Sequence, residues 1–335
     1  MAEVLLTQSE KKKQMTAMRR ITILVGLIYF FVAGLIFASD WLSTTKLATG
    51  EKIVPFMFSV VLLVTLLVWY YFFRKHAVLS KQMGKADKSV ILVGVFVLFF
   101  LALSVRLPSM LLFGNVYEKT PLIFLIVLTI LLVKRESLGL YGFRTERFGR
   151  ALLIGLVYYL AYDLTGFLVL NAMTFVYTGQ SFYVNYDPLP FLLVFPFMTL
   201  CVGISEEGLF RGFMQTRLST VYDWKNAVYI QAVLFGLWHF VWHLSPLDFV
   251  GMALHISSTF FFGLVFGYFY HLSRNLTPLI LTHGLVDSIP YGFIQNQNLT
   301  LLEFPSFMIQ MTAFAASIIT LAVSTKFLAK KIQTQ

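Results

Sequence analysis

The sequence predicts an all-α protein: a polytopic transmembrane helical bundle of about ten spanning helices. Three observations predict it. Charge is scarce: 13% of the 335 residues are charged and 58% are hydrophobic, with a mean hydropathy of +0.77. Soluble domains average about 25% charged residues. Apolar runs recur along the whole chain, and the basic residues fall almost entirely between alternate runs. In a soluble protein the net charge of +10 would suggest a nucleic-acid partner. No soluble domain is evident to bind one, so nucleic acid is not expected and the lipid bilayer is.

A spanning helix needs about 20 mostly apolar residues. The N-terminus is polar and basic up to Arg20, and the apolar stretch 21–39 is long for a signal peptide, so it reads as a retained first span. The further spans are 54–73, 89–105, 121–133, 151–170, 190–213, 226–242, 252–272, 276–295 and 304–325. The fourth is short; it borrows from Tyr117 to Pro121, with Lys119 and Lys134 snorkelling to the interface. The basic segment 134–150 is the best boundary. It separates accessory helices in 1–135, whose span centres carry no ionisable residue, from a core in 136–300 whose spans carry His, Glu and Asp. Residues 301–335 form the last span and a basic tail. Chemistry is therefore expected in the second half. The single cysteine, Cys201, permits no intramolecular disulfide.

The loop charges test the span count. With ten spans and the N-terminus inside, 21 of the 26 lysines and arginines face the cytoplasm. Outside lie only Lys46, Lys52, Arg106 and Lys119, and Arg211 is intramembrane. This asymmetry predicts a multi-pass protein of the cell membrane with both termini cytoplasmic. Dropping the fourth span would reverse every later loop and spoil the asymmetry.

Against this background the stretch SEEGLFRGF at 205–213 stands out. A charge at a helix centre costs about 2.5–3.5 kcal/mol on insertion scales. Glu206, Glu207, Arg211, Asp163 and Asp287 are therefore functional candidates. Glu207 and Arg211 are four apart and can pair, so a structural ion pair explains them as readily as chemistry does. Glu206 is turned about 100° away on the same helix, and its own helix offers it no partner.

Of the six histidines, His76 lies in a cytoplasmic loop, and His255 and His271 lie near the ends of one span, where interfacial packing explains them. His239 and His283 lie well inside apolar runs. Glu206 and His239 are each about 16 residues from the turn TVYDWK, which at about 1.5 Å per residue gives them the same height. His283, nine residues past Arg274, also sits within the bilayer, so three helices can converge on one buried polar point. Asp287 follows His283 by four residues, where it can accept from the imidazole and fix its tautomer. A carboxylate, two imidazoles and a buried water form the minimum set for hydrolysis: the carboxylate is the general base, and an imidazole, or a metal held by imidazoles, steadies the oxyanion.

In order, EEGLFR (206–211), FGLWH (235–239) and HGLVD (283–287) fit EExxxR, FxxxH and HxxxN or HxxxD. Together with ESLGLYGFR at 136–144, they give a chain that over roughly 136–295 resembles the CPBP intramembrane protease family, also called the CAAX prenyl protease 2 or Abi family. The resemblance implies an α-helical membrane endopeptidase in which Glu206 activates water, Glu207 and Arg211 support it, and His239 and His283 complete the site. Where the family often has an oxyanion-donating asparagine, this chain has Asp287. Ionised aspartate cannot donate, so Asp287 either orients His283, joins a metal site, or stays protonated through burial. His243 follows His239 by four, an arrangement able to bind metal, though its place at a helix end favours interfacial packing. Zinc takes three protein ligands plus water, and Glu206, His239 and His283 are the candidates. Metal-free activation by Glu206 is the alternative.

The predicted function is thus that of an intramembrane endopeptidase, a metalloendopeptidase if those ligands hold zinc. It would cleave membrane-embedded or lipid-anchored peptides or proteins by glutamate-activated water. Two other classes compete: a non-catalytic membrane immunity or signalling partner that kept the site residues, and a transporter whose acids relay protons. The complete motif set counts against the first, and the lack of an internal repeat against the second.

Overall fold

An apolar run within a bilayer has to satisfy its own backbone polar groups, and a helix does so residue by residue. A computed structural model describes residues 7–10, 12, 16, 87–113, 127, 136–144, 146–179, 186–292 and 306–333. Of the expected spans, 21–39 and 54–73, and 121–133 save Val127, lie outside the described residues. Among the described residues every regular element is helical. They are α1 (Lys88–Phe113), α2 (Phe148–Thr178), α3 (a continuous rod over 188–218), α4 (Trp224–Trp238), α5 (Phe249–Ser273), α6 (Thr277–Ser288) and α7 (Ser306–Gln333). Three of these, α2, α5 and α7, are long and apolar enough to cross a membrane.

The α3 rod widens into π-helical geometry twice. Its α-helical start, Pro188–Phe197, leads into a π-helical segment, Met198–Gly203. One α-turn, Ile204–Glu207, is followed by a second π segment, Gly208–Gln215, before α-geometry returns at Thr216–Leu218. Such π segments cluster at functional sites because they re-aim side chains. The turn after α3 starts α4 cleanly. The Asp223 carboxylate accepts from the backbone N–H groups of Lys225 at 2.9 Å and Asn226 at 3.1 Å. The bond from Asn226 is the main reason that the Asp223 carboxyl is held below the usual carboxylate range.

Small residues set the helix crossings. Gly263 of α5 lies so close to α4 that a Cβ there would sit 2.8 Å from the Ala232 Cα. At the same crossing the Gln231 amide donates to the Gly263 carbonyl at 2.7 Å. Hydroxyls join α2 to α7: Tyr158 to Thr325 at 2.7 Å, and Ser317 donating to the Tyr162 carbonyl at 2.9 Å. At the foot of α3 the buried Glu136 carboxylate accepts from both the Tyr141 hydroxyl and the Arg217 guanidinium. This fixes the segment before α2 to the rod.

One expectation is overturned here. Arg106 was assigned to an outer loop just past a span ending at 105. The helix instead runs on to Phe113, and Arg106 is fully buried. Its guanidinium carbon lies 3.8 Å from the centre of the Trp238 ring, and its Nη1 donates to the Trp238 carbonyl at 3.1 Å. The ring face and the carbonyl together compensate a charge that hydropathy alone would expel.

The tightest crossing is that of α6 and α3. A Cβ on Gly284 would meet the Thr199 Oγ1 at 2.1 Å and its Cα at 2.6 Å. Because the obstacle includes backbone, Gly284→Ala should force the two helices apart at a cost of about 1–3 kcal/mol. A lowered thermal midpoint of the detergent-solubilised protein is the expected result; an unchanged midpoint would contradict this packing.

Candidate active site

Three helices deliver the polar residues to one place. The single α-turn between the two π segments of α3 carries Glu206 and Glu207, and Arg211 lies in the second π segment. His239 is the C-cap of α4, where the helix gives way to a 3-10 turn. His283 and Asp287 lie in the last turns of α6. Glu206, Glu207, Arg211, His239 and His283 are all buried. The expected convergence of Glu206, His239 and His283 is present in the geometry. Asp163 is not part of it; it lies half-buried on α2 beside Tyr159.

The hydrogen bonds divide the two glutamates by role. Glu207 Oε1 accepts from Arg211 Nη1 at 3.0 Å and from His283 Nδ1 at 2.8 Å. The Arg211 guanidinium also lies over the Phe235 ring, 4.0 Å from its centre. Glu206 Oε1 accepts from the Trp238 indole N–H at 2.8 Å. Its Oε2 is buried and makes no hydrogen bond within the described residues. It faces His283 Nε2 at 3.8 Å and His239 Nε2 at 4.0 Å. These gaps are too long for direct hydrogen bonds, but short enough for one water to bridge.

The imidazoles are fixed from behind. His239 Nδ1 is 2.8 Å from the Phe235 carbonyl, which can only accept, so Nδ1 carries a proton, and in the neutral ring Nε2 is the acceptor that faces Glu206. His283 is held at Nδ1 by Glu207, whereas Asp287 stands 3.3 Å from its Nε2. The i,i+4 spacing allows Asp287 to orient His283, and Asp287 does stand at its Nε2; the structure adds Glu207 at Nδ1, because the close crossing at Gly284 brings the α3 carboxylate against the ring.

A cavity of about 620 Å³ opens onto this group. Its lining is mostly apolar, with Tyr162, Phe235, Phe262, Phe266 and Phe314 around Glu206, His239, His283 and Asp287. Sequence reading missed four contributors. Trp238, the partner of Glu206, was read only as part of FGLWH. Arg106 was placed in a loop. His243 and His255, both expected to be interfacial packing, line the cavity together and approach to 3.1 Å. His271 does pack as expected, stacked on Trp224 with ring centres 4.6 Å apart. His76 lies outside the described residues.

The residues do not fit a metal as they stand. Among the described residues no three His, Cys, Asp or Glu side chains are grouped to hold one. Zinc bonds of about 2.0–2.1 Å place tetrahedral donors only about 3.3 Å apart, and Glu206 Oε2 is 3.8 and 4.0 Å from the two imidazole nitrogens.

The unequal partnering of the glutamates has a measurable consequence. Removing Glu207 strands a buried guanidinium, a loss of roughly 3–5 kcal/mol for a broken buried pair. Removing Glu206 strands only the Trp238 N–H. Glu207→Ala should therefore accumulate to a lower level in the membrane than Glu206→Ala, and equal levels by immunoblot would count against the buried pair.

No curated protein matches the chain, and no solved structure does. Residues 188–289 match a family model described as type II CAAX prenyl endopeptidase Rce1-like. That segment contains Glu206, Glu207, Arg211, His239, His283 and Asp287, and the match supports assigning it to the CPBP/CAAX protease family.

Proposed function

We propose that this chain is an intramembrane endopeptidase that hydrolyses peptide bonds with water activated by Glu206. The observation that carries the reading is the pairing pattern. Glu206 Oε2 makes no hydrogen bond within the described residues, is aimed between two imidazole Nε2 atoms, and borders a cavity large enough for an extended peptide segment. Glu207 Oε2 also lacks a hydrogen bond, but only Glu206 turns its free oxygen to both imidazole Nε2 atoms and only Glu206 lines the cavity.

The chemistry follows from the donors and acceptors. A water held between Glu206 Oε2 and His239 Nε2 gives its proton to Glu206 as its oxygen attacks the scissile carbonyl. The tetrahedral intermediate places negative charge on the former carbonyl oxygen. Protonated His283 donates to that oxygen from Nε2, its ring held by Glu207 at Nδ1. Glu206 then returns the proton to the leaving amine as the C–N bond breaks. Asp287, beside the same Nε2, balances the imidazolium charge. Trp238 holds the spare oxygen of Glu206, which keeps Oε2 pointed at the water. Substrates are membrane-embedded or lipid-anchored peptides or proteins.

Glu206→Gln keeps the side chain's size and removes the base. It should lose at least about 10²-fold in single-turnover peptide cleavage while retaining the thermal midpoint of the wild type. Full activity in this variant would reject the general-base assignment.

The chain is placed in the cell membrane with both termini cytoplasmic, on the asymmetry of its basic residues. Moving Arg106 from an outer loop into the core sharpens that asymmetry. A reporter fused after Gln335 should be active only on the cytoplasmic side, and activity outside would remove one span from the count.

A further inference from the structure

α4, α6 and α7 line the cavity with the ends that lie opposite the basic ones, while α2 and α3 reach it with Tyr162 and Glu206 from their middles. α4 contributes Phe235 and His239 from its last turn and cap, α6 contributes His283 and Asp287 from its last turns, and α7 contributes Met311 and Phe314 from its first turns. Among the described residues the exposed part of the rim is the connection from α4 to α5, where the lining residue Asp248 and its neighbour Leu247 are both exposed. The opposite ends of these helices carry the cations. Lys225 stands in the first turn of α4, Arg274 caps α5 just before α6 begins, and Lys330 and Lys331 close α7.

Contacts gather these basic ends on one face. Arg147 donates to the Ile332 carbonyl at 3.5 Å, the Leu276 N–H donates to the Gly142 carbonyl at 2.9 Å, and the Lys88 ammonium lies 4.3 Å from the centre of the Tyr222 ring. Among the described residues from 87 onward, no exposed lysine or arginine lies at the cavity end, and Arg106 is buried. Lysine and arginine are retained on the cytoplasmic side, so the basic face is cytoplasmic. Sixteen residues separate Asp223 from His239, about 24 Å of helix in a hydrocarbon core about 30 Å thick. The site therefore lies in the leaflet far from the cytoplasm.

We propose that the cavity opens on the non-cytoplasmic face, and that its substrate class is an extended, apolar segment of an exported peptide or protein rather than the tail of a cytoplasmic one. The statement about substrate rests on the hydrolase reading above; the statement about the face does not.

Two experiments separate these parts. In full-length protein carrying Cys201→Ala, a membrane-impermeant maleimide is applied to intact cells expressing either Leu247→Cys, on the rim, or Thr220→Cys, in the turn at the basic end. Labelling of Leu247→Cys in intact cells, with Thr220→Cys labelled only after permeabilisation, is expected. The reverse pattern, or equal labelling of both, overturns the proposal. The second experiment uses a quenched fluorogenic apolar peptide flanked by lysines, chosen to suit the rim carboxylates and too polar to cross the bilayer. Right-side-out vesicles should hydrolyse it at least about tenfold faster than inverted vesicles, with Glu206→Gln as the blank. Faster hydrolysis by inverted vesicles overturns the substrate class. Hydrolysis by neither removes the hydrolase reading and the substrate class with it, while the labelling result still decides the face.

Discussion

The site depends on one oxygen, Glu207 Oε1, which accepts from Arg211 within α3 and from His283 across to α6. Three ionisable groups buried in an apolar bundle would each be costly alone. Held together, they compensate one another and lock the crossing of the two helices that carry the chemistry. This arrangement also pairs Arg211, through Nη1, without using Glu206. Glu206 Oε2 stays open to the imidazoles because its neighbour makes the ion pair and the cross-helix bond.

That division between adjacent glutamates requires them to point in different directions. A regular α-helix already separates them by about 100°. The two π segments flanking Ile204–Glu207 adjust the remainder of the rod. The first lies where α6 crosses at Gly284, and the second carries Arg211. A wide turn exposes backbone groups, yet this rod is covered on several sides by α4, α6 and the segment around Tyr141, so it persists. The pitch change is therefore a property of the packed bundle and not of the segment alone.

This explains what the sequence could and could not convey. Contacts along one helix were legible, because spacing fixes them: Glu207 with Arg211, and His283 with Asp287. The common height of Glu206 and His239 was legible from their equal distance to one turn. Contacts between helices were not. Nothing in FGLWH says that Trp238 reaches Glu206. Nothing in a hydropathy window places Arg106 inside, since the window sees a charge and ends the span at 105. His255 was read as interfacial by its position in a span, whereas the bend of the chain after His239 brings α5 back across the cavity and sets it against His243. Motif spacing located the candidate groups, while helix crossings decided which group contacts which.

Arg106 also links the two halves of the chain. Boundary and motif alike assign the chemistry to residues past 135, and the family match begins at 188. Yet α1 places a guanidinium on the face of Trp238, whose N–H fixes the orientation of Glu206. A cation on the ring face draws electron density from the indole and makes its N–H a stronger donor to the carboxylate. The proposed general base is thus steadied through a residue of the accessory region, two contacts away. A core excised at the motif boundaries would keep every motif residue and lose that support, so the functional unit is larger than the segment that carries the motifs.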